Sequence, residues 1–329
     1  MVLHVGALAA LGSAFAWTFT ALVFEYAGKR IGAFALNFLR LVLGCLFLGL
    51  YGLVVRGSFF PFDAPLSAWL WLGLSGLVGL VLGDLLLFQS FIDIGSRLAM
   101  LIYATAPAFA AVLGFLVFGE RISLFGIGGM CLTLGGIAIV VFGRRGAKNG
   151  VGEGASNLVG GALAPAVAPA DRPHRARGIT LAVGATLGQA AGLILSKFGA
   201  ALGATHSDGR GVGAMDPFAG TQVRVATGVL AFAVILLATR SWRGIRRALE
   251  DRKALASLTV GSFFGPFLGV SLSLLAVQSG NVGVASAIMS IVPILIIAPS
   301  ALIFKEKVAL REVLGSVVAV AGVFALFLA

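Results

Sequence analysis

The sequence predicts an all-α integral membrane protein of ten transmembrane helices, arranged as two inverted repeats of five. Three observations predict it. Apolar runs of membrane-crossing length recur along the whole chain, charged residues are scarce, and the second half of the chain matches the first when one is slid along the other. Of the 329 residues, 59% are hydrophobic and 11% charged, against roughly one quarter charged in a soluble domain. Each run has about twenty residues, which at 1.5 Å per residue crosses a hydrocarbon core of about 30 Å. The runs lie near 4–26, 33–55, 67–91, 98–118, 123–143, 178–201, 215–238, 255–277, 283–304 and 309–328. They leave no room for a soluble domain.

The first run, with its small residues Gly12-Ser13-Ala14, has the look of a cleavable signal. No Lys or Arg precedes it, however, and it matches the sixth run, pairing Gly12 with Gly184. It is therefore read as a span. The second run carries Arg40 about two turns from its start, and the third carries Ser75-Gly79-Gly83 followed by Asp84. The fourth contains Pro107 and ends at Glu120, and the fifth contains Gly129 and Gly136. Residues 144–177, rich in Gly, Ala, Pro and Arg, read as a flexible linker between a first half, 1–143, and a second, 178–329. The sixth run holds Gly184-Gly188-Gly192 and ends near Lys197, and the seventh holds Arg224. Gly261-Gly265-Gly269 runs through the eighth, Pro293 breaks the ninth, and the tenth follows Glu306.

The repeat rests on residues that rarely coincide by chance. At a constant offset of 186 (265 − 79), Gly79 pairs with Gly265, Gly83 with Gly269, Pro107 with Pro293, Glu120 with Glu306, Gly129 with Gly315 and Gly136 with Gly322. Nearer the front of each half, Phe34, Arg40 and Gly44 pair with Phe218, Arg224 and Gly228. An odd number of spans per half sends the second half into the membrane from the opposite side, the inverted repeat that many secondary transporters use. Small residues four apart let helices approach closely, either as static packing or as a sliding surface for alternating access.

These residues carry a family resemblance. The five-plus-five pattern, the Arg early in the second span of each half (Arg40, Arg224), the helix-end Glu followed nine residues later by Gly, and Lys197 together resemble the EamA family of the drug/metabolite transporter superfamily. Glu25, the counterpart of Lys197, departs from that pattern. The resemblance covers nearly the whole chain outside 144–177. It implies a carrier in the cell (inner, cytoplasmic) membrane, with cargoes that range from amino acids to nucleotide-sugar-like metabolites and drugs. The expectation is a secondary transporter exporting a small polar metabolite, an amino acid or related organic solute, by alternating access. The alternative is a flippase for a lipid-linked polar headgroup.

An ionised group in a membrane helix costs about 2.5–3.5 kcal/mol, so each one calls for a reason. Arg40 and Asp84 lie at matching depth and can pair. In one reading Asp84 takes up a proton when the pair opens and so couples transport to a proton gradient. In the other the pair is permanent, or Arg40 reaches to the headgroups. Arg224 faces a different problem, because Val270 stands where Asp84 stands in the first half. Either an anionic substrate group balances it, or it reaches to the surface or to Asp216. Pro107 and Pro293 each free a backbone carbonyl in mid-span. Around them Trp17, Asn37, Tyr103, Thr105, Gln89, Gln189, Gln222, Ser286 and Ser290 can line a polar cavity, or bond singly to neighbouring helices. Glu120 and Glu306 read as interfacial ion pairs or as caps for the next helix.

Other functions fit less well. The net charge of +11 collects in the segments between runs, where it orients the chain rather than binding nucleic acid. It places that side in the cytoplasm and both termini outside, whereas the resemblance implies termini inside. With three His and no metal-binding, nucleophile-elbow or phosphate-loop motif, neither an enzyme nor an ATP-driven pump is expected. No cofactor or metal is expected. Cys45 and Cys131 lie inside spans without metal-ligand spacing and read as packing residues. Two halves in one chain remove the need for a dimer, so monomer and homodimer both stand.

Overall fold

The computed structural model of the chain describes residues 2–87, 90, 102–103, 105–143, 172–203, 215–240, 242–295 and 310–328. All regular structure among them is helical: α1 (Val2–Ile31), α2 (Ala33–Arg56), α3 (Leu66–Ser75), a π-helical stretch π1 (Gly76–Gly83), α4 (Ala106–Phe118), α5 (Leu124–Gly143), α6 (Arg172–Gly203), α7 (Pro217–Thr239) and α8 (Trp242–Glu250). There follow α9 (Arg252–Ser262), a second π-helical stretch π2 (Phe263–Gly269), α10 (Val270–Gln278), α11 (Val282–Met289), α12 (Val292–Leu295) and α13 (Leu310–Leu328).

Among the described residues, five helical segments are long and apolar enough to cross a membrane: Phe34–Arg56, Leu66–Leu87, Ala176–Gly203, Pro217–Thr239 and Arg252–Gln278. Shorter apolar stretches, Val5–Thr20, Ala106–Phe118, Leu124–Gly136 and Val313–Gly322, stand at the first, fourth, fifth and tenth expected runs. The ninth is broken into α11 and α12. Outward-facing residues such as Val54, Leu116, Leu230 and Leu237 are exposed, the surface that a lipid solvent calls for.

Local chemistry sets the ends. Gly57 and Gly119 adopt positive φ just past α2 and α4, and their N–H groups donate to Leu53 O (3.2 Å) and Phe115 O (2.9 Å), a turn that side chains with a Cβ resist. Asp216 and Asp251 cap α7 and α9 by accepting from Ala219 N and Ala254 N, each at 3.0 Å.

Two expectations need correcting. Helix α6 begins at Arg172, inside the stretch 144–177 read as linker, because a Pro is well tolerated in the first turn of a helix and Arg and Ala propagate it. The polar segment after α7 forms α8, an amphipathic helix with Ile245 and Ala248 buried and Trp242, Arg243, Arg246 and Arg247 exposed. Cys131, expected to pack inside, is exposed. The rest of the linker, Gln89, Arg97 and Glu306 lie outside the described residues, and so does the side chain of Pro293.

The packing repeats the internal symmetry. Helices α3 and π1 pack on α6, and their equivalents α9 and π2 pack on α1. Likewise π1 packs on α7 while π2 packs on α2, and α4 packs on α6 while α11 packs on α1. Three further pairs, α2 with α7, α4 with α11 and α5 with α13, are each made of two equivalent helices. This is the contact pattern of two halves related by a pseudo-two-fold axis. The π-helical stretches themselves fall at equivalent positions, one residue apart at the offset of 186.

The α5–α13 contact shows how glycine makes it. A Cβ on Gly136 would strike the backbone of Ala319 and Gly315, and one on Gly322 would strike Thr133 and lie 2.7 Å from Gly129 O. At Gly135, by contrast, an added Cβ meets nothing within 4 Å. Replacing Gly136 by Ala is therefore expected to destabilise the protein by about 1–3 kcal/mol, the usual cost of overpacking. Gly135→Ala should leave stability unchanged or slightly raised. Thermal unfolding in detergent decides between them: equal melting temperatures for the two variants would reject the packing account.

Candidate functional site

The two π-helical stretches mark the middle of the molecule, and both are wide turns built on glycine. At one, Ser75 Oγ donates to Gly192 O at 2.7 Å, joining the third run to α6. At the equivalent junction Thr20 Oγ1 donates to Gly261 O at 3.4 Å, joining α1 to the eighth run. The bond recurs with the donor moved to the other helix, since Thr20 is the counterpart of Gly192 and Ser75 that of Gly261. Two predicted site residues stand at the far ends of these stretches. A Cβ on Gly83 would lie 3.8 Å from Gln189 N, and one on Gly269 would lie 3.0 Å from Trp17 Nε1. Trp17 and Gln189 are themselves equivalent under the offset that pairs Gly12 with Gly184, and both are half-buried.

Arg40 and Asp84 form an ion pair, with Nη2 donating to Oδ2 across α2 and the end of the third run. Arg224 has no such partner among the described residues. Its side chain is buried, 4% exposed, and its Nε and Nη1 atoms have no hydrogen-bond partner. The Nη2 atom lies 3.8 Å from where a Cβ of Gly79 would stand, so the guanidinium rests against π1. Val270, at the position matching Asp84, is buried and apolar. The suggestion that Asp216 balances Arg224 is not what the structure contains: that carboxylate caps α7, and no ion pair joins Arg224 to a described residue.

One turn before each arginine stands a buried polar side chain with an orphaned oxygen. Asn37 precedes Arg40 by three residues and Thr221 precedes Arg224 by three, and neither Asn37 Oδ1 nor Thr221 Oγ1 has a partner. Spacing of three puts each pair on one helix face. Thr221 and Ser271, whose Oγ is likewise buried without a partner, were not singled out from the sequence. The repeat held the signal for Thr221, which aligns with Asn37.

The helix breaks fall beside the prolines. Thr105 forms a turn directly before α4, with its N–H and Oγ1 both donating to Ile102 O (3.0 and 2.6 Å), and Pro107 sits in the first turn of α4. Ser290 and Ile291 form the matching turn between α11 and α12. Tyr103 is half-buried before the first break. Ser286 is buried, and Ser290 Oγ donates back to Ala287 O at 2.8 Å. Gln222 has another use: it accepts from Arg56 Nη2 (2.9 Å) and donates to Phe59 O (2.5 Å), holding the α2–α3 connection against α7. Its amide is thus committed within the protein, because it lies near the start of α7, where the connection reaches it.

A second charged cluster closes one end of the bundle. Lys197 Nζ donates to Glu120 Oε1 (2.5 Å) and to Gly280 O (2.6 Å), and Glu120 Oε2 accepts from Val282 N at 2.8 Å. Lys197 also lies 5.3 Å from the Phe118 ring centroid. Glu120 is therefore both ion pair and helix cap, but the helix it caps is α11 of the other half rather than α5. The cluster thereby ties the end of α4 to α6 and to the α10–α11 turn.

The model of the EamA-like transporter family matches residues 4–142 and 176–328. No curated protein matches the chain. Among solved structures, one titled only "Crystal structure of protein" superposes with a TM-score of 0.69 over 97% of this chain and 95% of that one, at 14% identity. Likeness at that identity concerns the fold alone.

Proposed function

The chain belongs to the EamA-like transporter family, and from that premise we propose that it carries a small polar solute bearing an anionic group across the cytoplasmic membrane. An amino acid or related organic solute, moved outward by alternating access through ten spans, is the specific reading. One observation supports it above the others: Arg224, buried in α7, has two guanidinium nitrogens without partners and no counter-charge among the described residues. A charge in the membrane interior without a partner is costly, and a carboxylate seated on the guanidinium by paired hydrogen bonds would relieve that cost. Thr221, one turn away with an unpartnered hydroxyl, supplies a further donor. Trp17 and Gln189, against the glycines that end the two π-helical stretches, are proposed to line the same passage with Asn37, Tyr103, Ser286 and Ser290. The abundance of Lys and Arg beyond α7 and in the linker supports a cytoplasmic placement for that side.

In this scheme Asp84 is the coupling group. Protonating it releases Arg40 and frees α2 from the third run, so proton uptake and a change of helix packing are one event. Asp84→Asn mimics the protonated state permanently. The expected result in proteoliposomes is exchange of substrate that no longer follows a pH gradient, with uphill transport lost. Unchanged uphill transport and pH dependence would remove Asp84 from the coupling.

The substrate class is tested by thermal unfolding of the purified protein against amino acids, organic anions, sugars, cationic drugs and headgroup lipids. A ligand present at a hundred times its Kd stabilises the folded state by about 2.7 kcal/mol. Stabilisation by soluble anions is the expected outcome. Stabilisation by amphiphiles alone would instead favour the flipping of a lipid-linked headgroup.

A further inference from the structure

A cleft of about 640 Å³ opens where the α1–α2 turn meets the junction of α7 and α8, between Gly32, Phe34 and Ala35 on one wall and Thr239, Arg240 and Arg243 on the other. Its chemistry divides. The Phe34 ring, packed edge-on against Phe232 at 5.9 Å between centroids, makes part of the wall apolar, while Arg240 and Arg243 are exposed and make no hydrogen bond or ion pair with a described residue. Arg240 is the one described non-glycine residue with positive φ, at 51°, and this left-handed turn breaks the chain out of α7 and into the amphipathic α8. Such a conformation is unfavourable for a residue with a Cβ, and glycine would adopt it more easily.

Below the arginine, Leu230, Val234 and Leu237 are exposed along α7 at spacings of four and three, so they form one apolar strip that ends at Arg240. Trp242 and Leu249 are exposed on α8, the amphipathic ring of the former suited to the headgroup level of a bilayer. The acids that follow along α8 do not line the cleft. Asp251 is bonded to Arg30 Nε at 2.6 Å and accepts from Ala254 N, and these two bonds hold its carboxyl below the usual carboxylate range. Glu250 lies two turns along α8 from Arg243.

We infer that this cleft is a binding site for one anionic phospholipid of the adjoining leaflet, its phosphate between Arg240 and Arg243 and one acyl chain along Leu237, Val234 and Leu230. An apolar track that ends at two guanidinium groups engaged by no described residue is complementary to a molecule with an acyl tail and a negative head. A soluble phosphate would use the arginines but leave the strip bare. The site is separate from Arg224 and does not depend on what the protein carries.

The test is native mass spectrometry of the full-length protein, titrated with phosphatidylglycerol and with phosphatidylcholine of the same chains. A basic residue near an anionic lipid surface contributes about 1 kcal/mol, a factor of roughly five. Retention of phosphatidylglycerol is therefore expected to fall about fivefold in Arg240→Gly, about fivefold in Arg243→Gln and about twenty-five-fold in the double variant. Phosphatidylcholine retention should stay level. Arg240→Gly relieves the left-handed strain, so its melting temperature should hold or rise without the lipid, which separates lost binding from lost folding. Arg246→Gln/Arg247→Gln, on the same helix but off the cleft wall, should retain the lipid. Equal loss in that control, or no loss in the cleft variants, would overturn the assignment. So would complete displacement of the lipid by millimolar glycerol phosphate, which would make the occupant a soluble phosphate.

Discussion

Replacing Arg224 by Gln should lower transport of an anionic solute by roughly a hundredfold or more while leaving the protein at least as stable as before. The two effects have one cause. A hydrogen bond to a charged group contributes about 1.5–3 kcal/mol, so losing a two-pronged contact with a carboxylate removes about 3–5 kcal/mol, and each 1.4 kcal/mol is tenfold. The same guanidinium is buried with no counter-charge among the described residues, so deleting its charge removes a cost of about 2.5–3.5 kcal/mol set by the membrane. Lysine at 224 should fall between, since it keeps the charge and loses the fork. Proteoliposome flux and thermal unfolding of the same preparations read both quantities. A variant that transports normally, or one that melts well below the parent, would make Arg224 a structural residue.

Lys197→Met should be strongly destabilising. The cluster it belongs to joins three parts of the bundle: Lys197 holds both Glu120 and Gly280 O, and Glu120 in turn caps α11 at Val282 N. The two side chains are only 20% and 11% exposed, so solvent screens them in part only. Removing one member of a buried pair leaves the other charged and unmatched, at a cost of about 3–5 kcal/mol. Glu120→Leu should cost a comparable amount, because it also strips the cap from α11. The double variant should then be less destabilised than the sum of the two, since no lone charge remains. A strictly additive cycle, or a single-variant loss under about 1 kcal/mol, would dissolve the link. If the cluster is a gate that must open during the transport cycle, the double variant should also shift the population toward the state open on that side. Accessibility of a cysteine introduced at Asn281 would report this.

The two halves differ in a way that bears on mechanism. Each has an arginine early in its second span and a polar residue one turn earlier. Among the described residues, only the first half has an acid to balance it. Pseudo-symmetry therefore makes two equivalent frames and leaves one neutralised and the other open. At the other pair of sites Lys197 meets Glu120, and the sequence counterpart of Lys197 is the acidic Glu25.

Much of this was legible in the residues themselves. Apolar run length identifies a membrane protein because no other solvent tolerates such runs. The coincidence of Gly, Pro and Glu at one offset reveals the repeat, because those residues are placed by backbone requirements that apolar side chains do not share. Depth along a span is a matter of counting, and so the Arg40–Asp84 pairing and the breaks at Pro107 and Pro293 could be read before any coordinates. Rotation about each helix axis and the identity of the facing helix could not. Those depend on which ridges interlock across the bundle, a long-range property that hydrophobic periodicity loses when every face is apolar. Only the tertiary structure decided that Gln222 is committed to Arg56 and Phe59, that Glu120 caps a helix of the opposite half, that the segment after α7 lies as an amphipathic helix, and that Arg224 is buried against π1 with no described residue to pair it.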